Sequence, residues 1–316
     1  MCVSPTRLLP CVPLLLALAS PSGAADCLGH PEALGTSRTI VVDPTEHGRI
    51  GTMDYTVTLP LADKEVVLTF DDGPLPPHTG KILDILAAHC VRATYFIVGQ
   101  MARAYPELVR RAHAEGHTIG THSMHHPLPF RTQVPQRAET EIAGGIAATA
   151  AALGPGGSVA PFFRFPGLNR TTLVEAHLGA RGLMAWSADI ASDDWRDITP
   201  DEVVRRTLQR LEAKGKGIVL LHDIQARTVR ALPKLLAELK TRGYRVVHVQ
   251  AASEGRPKTA TVPEQWRLQT RMKPMKVADG GTPGRASKRL AQVPVQDGSA
   301  DRDLWWHLGL RMRRLD

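Results

Sequence analysis

The fold is decided by residues 66–74, Val66-Val67-Leu68-Thr69-Phe70-Asp71-Asp72-Gly73-Pro74. Five apolar or β-branched residues favour a strand, and the Gly-Pro pair interrupts the chain directly after it. Adjacent carboxylates repel each other and lose hydration when buried, so they persist where a cation or a proton offsets their charge. The stretch predicts a buried strand with a functional carboxylate pair at its end. A solvated Asp-Asp-Gly-Pro turn is the alternative interpretation.

Short apolar runs of this kind alternate with helical patterns as far as residue 249. Seven strands are predicted: Val66–Phe70, Ala93–Val98, Thr118–Gly120, Pro161–Phe165, Leu183–Ser187, Gly217–Leu221 and Arg245–Val249. Six helices are predicted between them, near 79–90, 102–115, 134–153, 171–181, 200–214 and 226–242. This alternation indicates parallel strands joined by helical crossovers. A closed or nearly closed barrel and a doubly wound open sheet both satisfy it, and both place the chemistry at the C-terminal ends of the strands.

The flanking segments have a different character. Residues 1–25 combine a basic start, an apolar stretch too short to span a bilayer and a run of small residues, which predicts a secretory signal peptide. An uncleaved anchor is the alternative. Residues 26–64 form a lead-in with β-like stretches at 39–42 and 55–59. Residues 65–250 hold all seven predicted strands and form the domain that we expect to carry the chemistry, and residues 251–316 form a low-complexity tail that we expect to be disordered and dispensable for that chemistry.

The composition is that of a globular protein, because 43% of the 316 residues are hydrophobic and 22% are charged. The formal net charge is +8, of which the tail contributes +6. The nearly balanced remainder argues against nucleic-acid binding, which needs a basic face. The basic tail, with Trp305-Trp306, predicts contact with an anionic envelope surface, and a passive tail is the alternative.

The four cysteines divide between the signal and the exported chain. Cys2 and Cys11 lie in the signal, so Cys27 and Cys90 remain. An even number of cysteines in an oxidising compartment predicts one structural disulfide. Two unrelated thiols are the alternative.

A histidine pair follows the strand predicted at 118–120. His122 and His126 are four residues apart, so one helical turn would place both imidazoles on one face. This spacing suits two ligands of a tetrahedral Zn²⁺, and Asp72 would complete a site with an open position for water. A chance pair among the 13 histidines is the alternative. We interpret five other histidines as helix or surface residues: His78, His89, His113, His177 and His248.

Three further motifs lie at predicted strand ends. Arg164 stands inside the apolar run 162–165, where it must meet a carboxylate or remain unpaired at high cost. His222 follows an apolar strand and suits general acid catalysis near neutral pH. The third motif is Asp193-Asp194-Trp195. Each motif also has a structural interpretation, as a buried salt bridge, a strand-terminal polar residue or the edge of an aromatic core.

In chain order, TFDDGP, HSxxH, FRxPG, DDW and LLHD resemble the motifs of the polysaccharide deacetylase family, also called the NodB-homology domain or carbohydrate esterase family 4. The resemblance covers about residues 63–249. It implies a distorted (β/α)7-type barrel and hydrolysis of acetyl groups on glycans. It also implies a divalent metal, commonly Zn²⁺, with Co²⁺ or Ni²⁺ as alternatives. We expect a secreted or periplasmic monomer whose partner is an acetylated glycan.

The resemblance also implies a role for each motif residue. Asp71 would be the catalytic base, held by Arg164, and His222 would be the general acid, oriented by Asp194 or by its rival Asp193. The metal ligands would be Asp72, His122 and His126. The substrate pocket would be lined by Trp195, Leu220, Pro166 and Gly167.

The FRxPG motif departs from the family pattern, which is Arg-Pro-Pro-Tyr-Gly. Here it is Arg164-Phe165-Pro166-Gly167-Leu168, without tyrosine. The tyrosine contributes mainly its backbone N–H, which Gly167 can also supply, although the substrate groove must differ. The sequence predicts a metal-dependent N-deacetylase acting on peptidoglycan, chitooligosaccharide or another N-acetylhexosamine polymer. An O-acetyl esterase on xylan-like glycans and a catalytically dead sugar-binding homologue are the alternatives.

Overall fold

The computed structural model describes Cys27 and residues 33–267, which form an α/β fold built on parallel strands. The strands are β1 (Thr36–Val42), β2 (Arg49–Ile50), β3 (Glu65–Asp71), β4 (Thr94–Ile97), β5 (Thr118–Thr121), β6 (Phe162–Arg164), β7 (Met184–Trp186), β8 (Ile190–Ala191), β9 (Gly217–His222) and β10 (Arg245–Ala251). All seven predicted strands are present, with ends shifted by one or two residues. The predictions missed the two-residue strands β2 and β8.

The helices are α1 (His78–Ala88), α2 (Gly99–Ala104), α3 (Pro106–Ala114), α4 (Pro135–Leu153), α5 (Thr172–Ala180), α6 (Pro200–Lys214) and α7 (Ala226–Thr241). The single helix predicted near 102–115 is wrong, because Tyr105 leaves the helical conformation and Pro106 opens a new helix. Proline lacks an N–H and clashes with the carbonyl of the preceding turn, so it starts helices more readily than it continues them. No helix of the described residues is both long and apolar enough to cross a membrane.

The strands pair in the order β8-β9-β3-β4-β5-β6-β7-β2, while β10 pairs with the start of β3 and β1 pairs with β10. Every one of these ladders is parallel. The predicted parallel α/β class is therefore confirmed. Residues 187–189 connect β7 directly to β8, but no ladder joins these two strands within residues 33–267. Full closure of the barrel stays a prediction.

Alternation along β3 explains how the fold delivers polar groups to one place. Val66, Leu68 and Phe70 belong to a core cluster that contains the helix residues of α1, α6 and α7. Val67 faces the other way, into a cluster with aromatic and aliphatic residues of β4, β6, β7, β9 and β10. Successive strand residues point to opposite faces, so Asp71 shares the interior face of Val67.

The lead-in is partly a strand. The β-like stretch predicted at 39–42 lies within β1, which pairs along its length with β10. The stretch predicted at 55–59 is not a strand, because its polar groups bond elsewhere. The Tyr55 hydroxyl donates to Glu175, and the Thr58 hydroxyl donates to Asp189.

The predicted tail begins too early. Ala251 still belongs to β10, and the chain then returns along β1, where the Thr259 N–H donates to the Val41 carbonyl. Trp266 is 4% exposed and packs into the interior cluster. A polar, proline-containing run without periodicity is held here by one buried aromatic side chain. The prediction of a dispensable tail therefore applies only after Arg267. The predicted signal peptide and Trp305-Trp306 lie outside the described residues.

The structure contains the Cys27–Cys90 disulfide, with 5.8 Å between the two Cα atoms. Cys90 lies just after α1, so the bridge ties the lead-in to that helix. A crosslink across 63 residues stabilises the fold by roughly 4 kcal/mol through its effect on the unfolded chain.

Candidate active site

The centre of the site is the Asp71–Arg164 ion pair. Asp71 ends β3 and lies opposite His222 of β9 in the parallel register. The fully buried Arg164 guanidinium donates from Nη1 to Asp71 Oδ1 over 2.6 Å and to the Thr69 hydroxyl over 2.8 Å. From Nη2 it donates to the Ser187 carbonyl over 3.0 Å. The carboxylate that the apolar surroundings of Arg164 require is therefore Asp71.

Asp72 points in a different direction because its backbone is left-handed, with φ 79°. Its Oδ1 atom lies 3.4 Å from His122 Nε2 and 3.3 Å from His126 Nε2. These three side chains form a group whose ligand atoms lie within 4.8 Å of one another. The strand end thus separates the two adjacent carboxylates, one toward Arg164 and the other toward the histidines.

The histidine loop is not helical, so the predicted helical turn is wrong. Ser123 and His126 have φ values of 67° and 55°, and the Ser123 hydroxyl accepts the His126 N–H. Glu141 of α4 accepts the N–H groups of Met124 and His125, so a carboxylate takes the donors that a helix would satisfy internally. The two imidazoles still meet, with ring centroids 4.9 Å apart.

The protonation of His122 decides what the cluster can hold. Its Nδ1 atom lies 2.7 Å from the Arg164 carbonyl, which can only accept, so Nδ1 carries the proton and Nε2 offers a lone pair. Asp72 Oδ1 is buried and has no hydrogen-bond partner among the described residues. Two acceptors facing each other need a cation or a shared proton between them. One carboxylate and two imidazoles fit the ligand set of a catalytic Zn²⁺, and the carbonyl behind His122 fixes its orientation.

The ionisation of this cluster agrees with metal ligation. Burial lowers the pKa of His126 to about 4, so its imidazole is neutral at physiological pH. Burial opposes ionisation of Asp72, but the surrounding imidazoles outweigh it and hold the pKa of that carboxyl below its ordinary value. Neutral imidazole and ionised carboxylate are the forms that bind metal.

On the other side of the site lies the His222–Asp194 pair. His222 Nδ1 is 2.7 Å from Asp194 Oδ1, and the His222 N–H and the Thr228 hydroxyl both donate to Asp194 Oδ2. Burial would lower the pKa of His222, but Asp194 reverses the effect and raises it to about 10. Asp193, the rival in the sequence, bonds instead to Arg206 and Arg210 at 2.8 Å each.

Two of the predicted pocket residues, Trp195 and Leu220, lie beside His222, and the other two lie on the turn after β6. Trp195 meets the His222 ring edge-on, at 5.5 Å between centroids, and the buried Leu220 lies two residues before His222 on β9. Pro166 is buried, and Gly167 has φ +57°. This left-handed backbone favours glycine, whereas the contact that a Cβ atom would make, 2.9 Å from the end of the exposed Leu128 side chain, could be relieved by moving that side chain.

Several residues of the site carry no signal in the sequence. Thr69, Ser187 and Thr228 contact Arg164 or Asp194 through tertiary packing alone. Asp223 is the last residue of the LLHD motif, but the sequence does not indicate which groups its side chain contacts. Burial and the nearby Asp72 raise the pKa of Asp223 to about 7.

The parallel strands bring an Asp-His-His cluster between an Asp–Arg pair and an Asp–His pair, an arrangement typical of hydrolases. The comparisons with known proteins agree. Residues 59–186 match the polysaccharide deacetylase family. Over 191 residues the chain is 33% identical to a peptidoglycan-N-acetylglucosamine deacetylase of Bacillus cereus, covering 57% of this chain and 67% of that protein. The chain therefore belongs to the polysaccharide deacetylase family.

Two further similarities place it within that family. A chitooligosaccharide deacetylase of Rhizobium leguminosarum bv. trifolii is 34% identical over 196 residues, covering 58% of this chain and 88% of the relative. Among solved structures, a peptidoglycan deacetylase of Bdellovibrio bacteriovorus superposes with a TM-score of 0.61 at 36% identity. The match covers 69% of this chain and 60% of that one.

Proposed function

We propose that the protein is a metal-dependent N-deacetylase acting on a glycan that contains N-acetylglucosamine. The observation that carries the proposal is the buried Asp72 Oδ1 atom, which has no hydrogen-bond partner among the described residues and lies 3.4 Å from His122 Nε2 and 3.3 Å from His126 Nε2. The donor set favours Zn²⁺, with Co²⁺ or Ni²⁺ as alternatives. A cation bound there supplies Lewis acidity, which polarises the acetyl carbonyl and makes water a stronger acid.

Asp71 acts as the general base in this proposal. Its Oδ1 atom is held by Arg164, while Oδ2 lies 3.9 Å from His122 Nε2 and therefore faces the metal cluster. A carboxylate fixed by one oxygen presents the other in a constant direction. Asp71 Oδ2 is thus placed to take the proton of the attacking water.

His222 acts as the general acid. Because its Nδ1 is engaged by Asp194, Nε2 is the atom directed into the site, 3.9 Å from Asp72 Oδ2. With a pKa of about 10, the ring is protonated at neutral pH. An amine is a poor leaving group until it gains a proton, so this arrangement favours amide cleavage over cleavage of an acetyl ester.

The substrate rests on the loop that follows β6. We propose that the Gly167 backbone N–H stabilises the developing oxyanion and that Trp195 and Leu220 contact the acetyl methyl. A surface cavity of about 330 Å³ begins at Leu168 and is lined mainly by polar side chains, among them Asp54 and Asn169. We propose that this cavity receives a sugar unit of the glycan other than the one that is deacetylated.

We propose an extracytoplasmic location, because the chain has a disulfide and its relatives are named for peptidoglycan, a polymer outside the cytoplasm. In this proposal residues 1–25 are a signal peptide, residues 33–267 form the catalytic unit with its lead-in, and the segment after Arg267 contacts an anionic surface.

The test is acetate release by the purified protein from chitooligosaccharides, peptidoglycan and acetylated xylan, before and after removal of metal by a chelator. We expect release from N-acetylated substrates, loss with the chelator and recovery on adding Zn²⁺. Release from acetylated xylan alone would favour the O-acetyl esterase. A folded, metal-loaded protein that binds the glycans without releasing acetate would favour the sugar-binding homologue.

A further inference from the structure

Asp223 is a buried carboxylate that the proposed chemistry does not use. It follows His222 directly and is completely inaccessible to solvent. Its Oδ2 atom accepts the Thr79 hydroxyl of α1 over 2.6 Å, and its backbone N–H is 3.3 Å from the Asp71 carbonyl. The side chain therefore lies between α1 and the segment that carries both aspartates of the site.

The partner of Asp223 across this space is Gly73. A Cβ atom on Gly73 would stand 2.0 Å from Asp223 Oδ2 and 2.3 Å from Oδ1. The carboxylate thus lies directly against the Gly73 backbone, in the space that any larger residue would need. On the other side of the chain, the Gly73 carbonyl accepts the Val98 N–H. The turn after Asp72 is held between these two contacts.

The arrangement is costly, which suggests that it serves the site. Asp223 Oδ1 is buried without a hydrogen-bond partner among the described residues, and a second carboxylate, Asp72, lies close by. Burying an incompletely satisfied carboxylate near another one lowers the free energy of unfolding. A residue needed only to fill space would be apolar.

We propose that Asp223, anchored by Thr79, is a positioning residue that braces the Asp72–Gly73 turn and so aims the Asp72 carboxylate at His122 and His126. The proposal rests on the proposed function, because it takes Asp72 to be a metal ligand. Groups that orient a ligand typically change metal affinity or activity 10- to 100-fold when they are removed.

The experiment measures Zn²⁺ affinity of the metal-free full chain by chelator competition, together with the absorption spectrum of the Co²⁺-substituted protein and the melting temperature without metal. Asp223→Ala should weaken Zn²⁺ binding by roughly 10- to 100-fold and change the Co²⁺ spectrum. Asp223→Asn should retain most of the affinity, because its amide oxygen can still accept the Thr79 hydroxyl. Thr79→Val removes that donor and should change affinity in the same direction as Asp223→Ala.

Thr94→Val is the matched control. Thr94 is also a buried threonine, on β4, but its hydroxyl has no partner among the described residues, so its removal should leave Zn²⁺ affinity unchanged. If Asp223→Ala does not fold, the Zn²⁺ affinities of Thr79→Val and Asp223→Asn test the proposal instead. The proposal would be overturned if the variants melt at lower temperature but keep the wild-type Zn²⁺ affinity and the wild-type absorption spectrum of the Co²⁺-substituted protein. If the wild-type protein itself binds no Zn²⁺, the proposed function fails together with the role of Asp223. Normal Zn²⁺ binding in both the wild type and the variants means that only the role of Asp223 fails.

Discussion

The two ends of β5 each lie beside buried histidines, yet among the described residues only the end beside Asp72, His122 and His126 has a candidate metal cluster. At the start, the His248 ring Nε2 lies 2.9 Å from the Thr118 hydroxyl, which itself donates to the Val249 carbonyl. Nε2 is therefore the donor, and burial lowers the pKa of His248 to about 3. Past the other end, His122 turns a lone pair toward the carboxylate of Asp72. Burial is common to both ends, so the facing acceptors are what mark the metal site.

His248 corrects a sequence-based interpretation. It was expected to be a helix or surface residue, but it lies on β10 and is 1% exposed. Its neighbours on the strand, Val247 and Val249, are also buried, and the Thr118 hydroxyl across the sheet accepts the proton of its Nε2 atom. A histidine can therefore belong to the core without any ligand when a neutral partner accepts its proton.

The largest effect is expected from replacing Asp72, the carboxylate that distinguishes the two ends of β5. Asp72→Ala removes one of three ligands, so metal content should fall and turnover should drop by about 10⁴-fold or more. Metal analysis and acetate release on the purified variant measure both. The matched control is His125→Ala, since His125 lies in the same loop with its side chain 60% exposed and directed at Glu141. If Asp72→Ala kept its full metal content, the proposed distinction between the two ends of β5 would be wrong.

Asp71→Asn should separate chemistry from metal binding. The amide is nearly isosteric with the carboxylate but cannot take a proton, so turnover should fall by about 10²- to 10⁴-fold. Metal content should stay at the wild-type level, because Asp71 faces the cluster without completing it. If Asp71→Asn loses its metal while Asp72→Ala keeps it, the roles of the two aspartates are reversed.

Asp194→Asn should move the pH profile. Asp194 is the main group that raises the pKa of His222, and burial acts in the opposite direction. Without the negative charge, the alkaline limb of kcat/KM should shift to lower pH by roughly 1 to 3 units. Asp193→Asn is the control, since Asp193 bonds to arginines of α6 and should leave the limb in place. An unchanged limb in Asp194→Asn would contradict the role of His222 as the acid.

The same pair predicts how stability depends on pH. The pKa of His222 is raised from an unfolded value of about 6.5 to about 10, so its contribution is complete below pH ~6.5 and is lost as pH rises through 10. In metal-free protein, the melting temperature of Asp194→Asn should therefore lie furthest below the wild type at acidic pH and approach it near pH 10. A constant difference would show that protonation of His222 is not involved.

The smallest effect is expected from replacing His248, the β10 histidine that contacts the start of β5. His248→Leu leaves the Thr118 hydroxyl without its imidazole partner and should lower the free energy of unfolding by about 1 to 3 kcal/mol. Metal content and kcat should not change. Denaturant unfolding and metal analysis check both expectations, and a loss of metal in this variant would mean that the two ends of β5 are coupled.

The sequence predicts the elements well because apolar periodicity is a local property. The seven predicted strands and most helices follow from it. The residue types at strand ends indicate that Asp72, His122 and His126 meet, while the places of Asp71, Arg164 and His222 beside them follow from the family resemblance. The left-handed turns at Ser123 and His126 do not follow, because Glu141 of a distant helix imposes them. The same holds for the segment that Trp266 anchors and for Asp223 against Gly73, since tertiary contacts alone create both.

Arg164 gives the active site a dependence on complete assembly. Its guanidinium comes from β6, the carboxylate and hydroxyl that it binds come from β3, and the carbonyl comes from the connection between β7 and β8. The β3 groups lie more than 90 residues before Arg164 along the chain, and Ser187 lies 23 residues after it. In a chain with only its first strands in place, Asp71 lacks the cation that holds it. The proposed base is therefore in position only once β6 has joined the sheet and the β7–β8 connection has met Arg164.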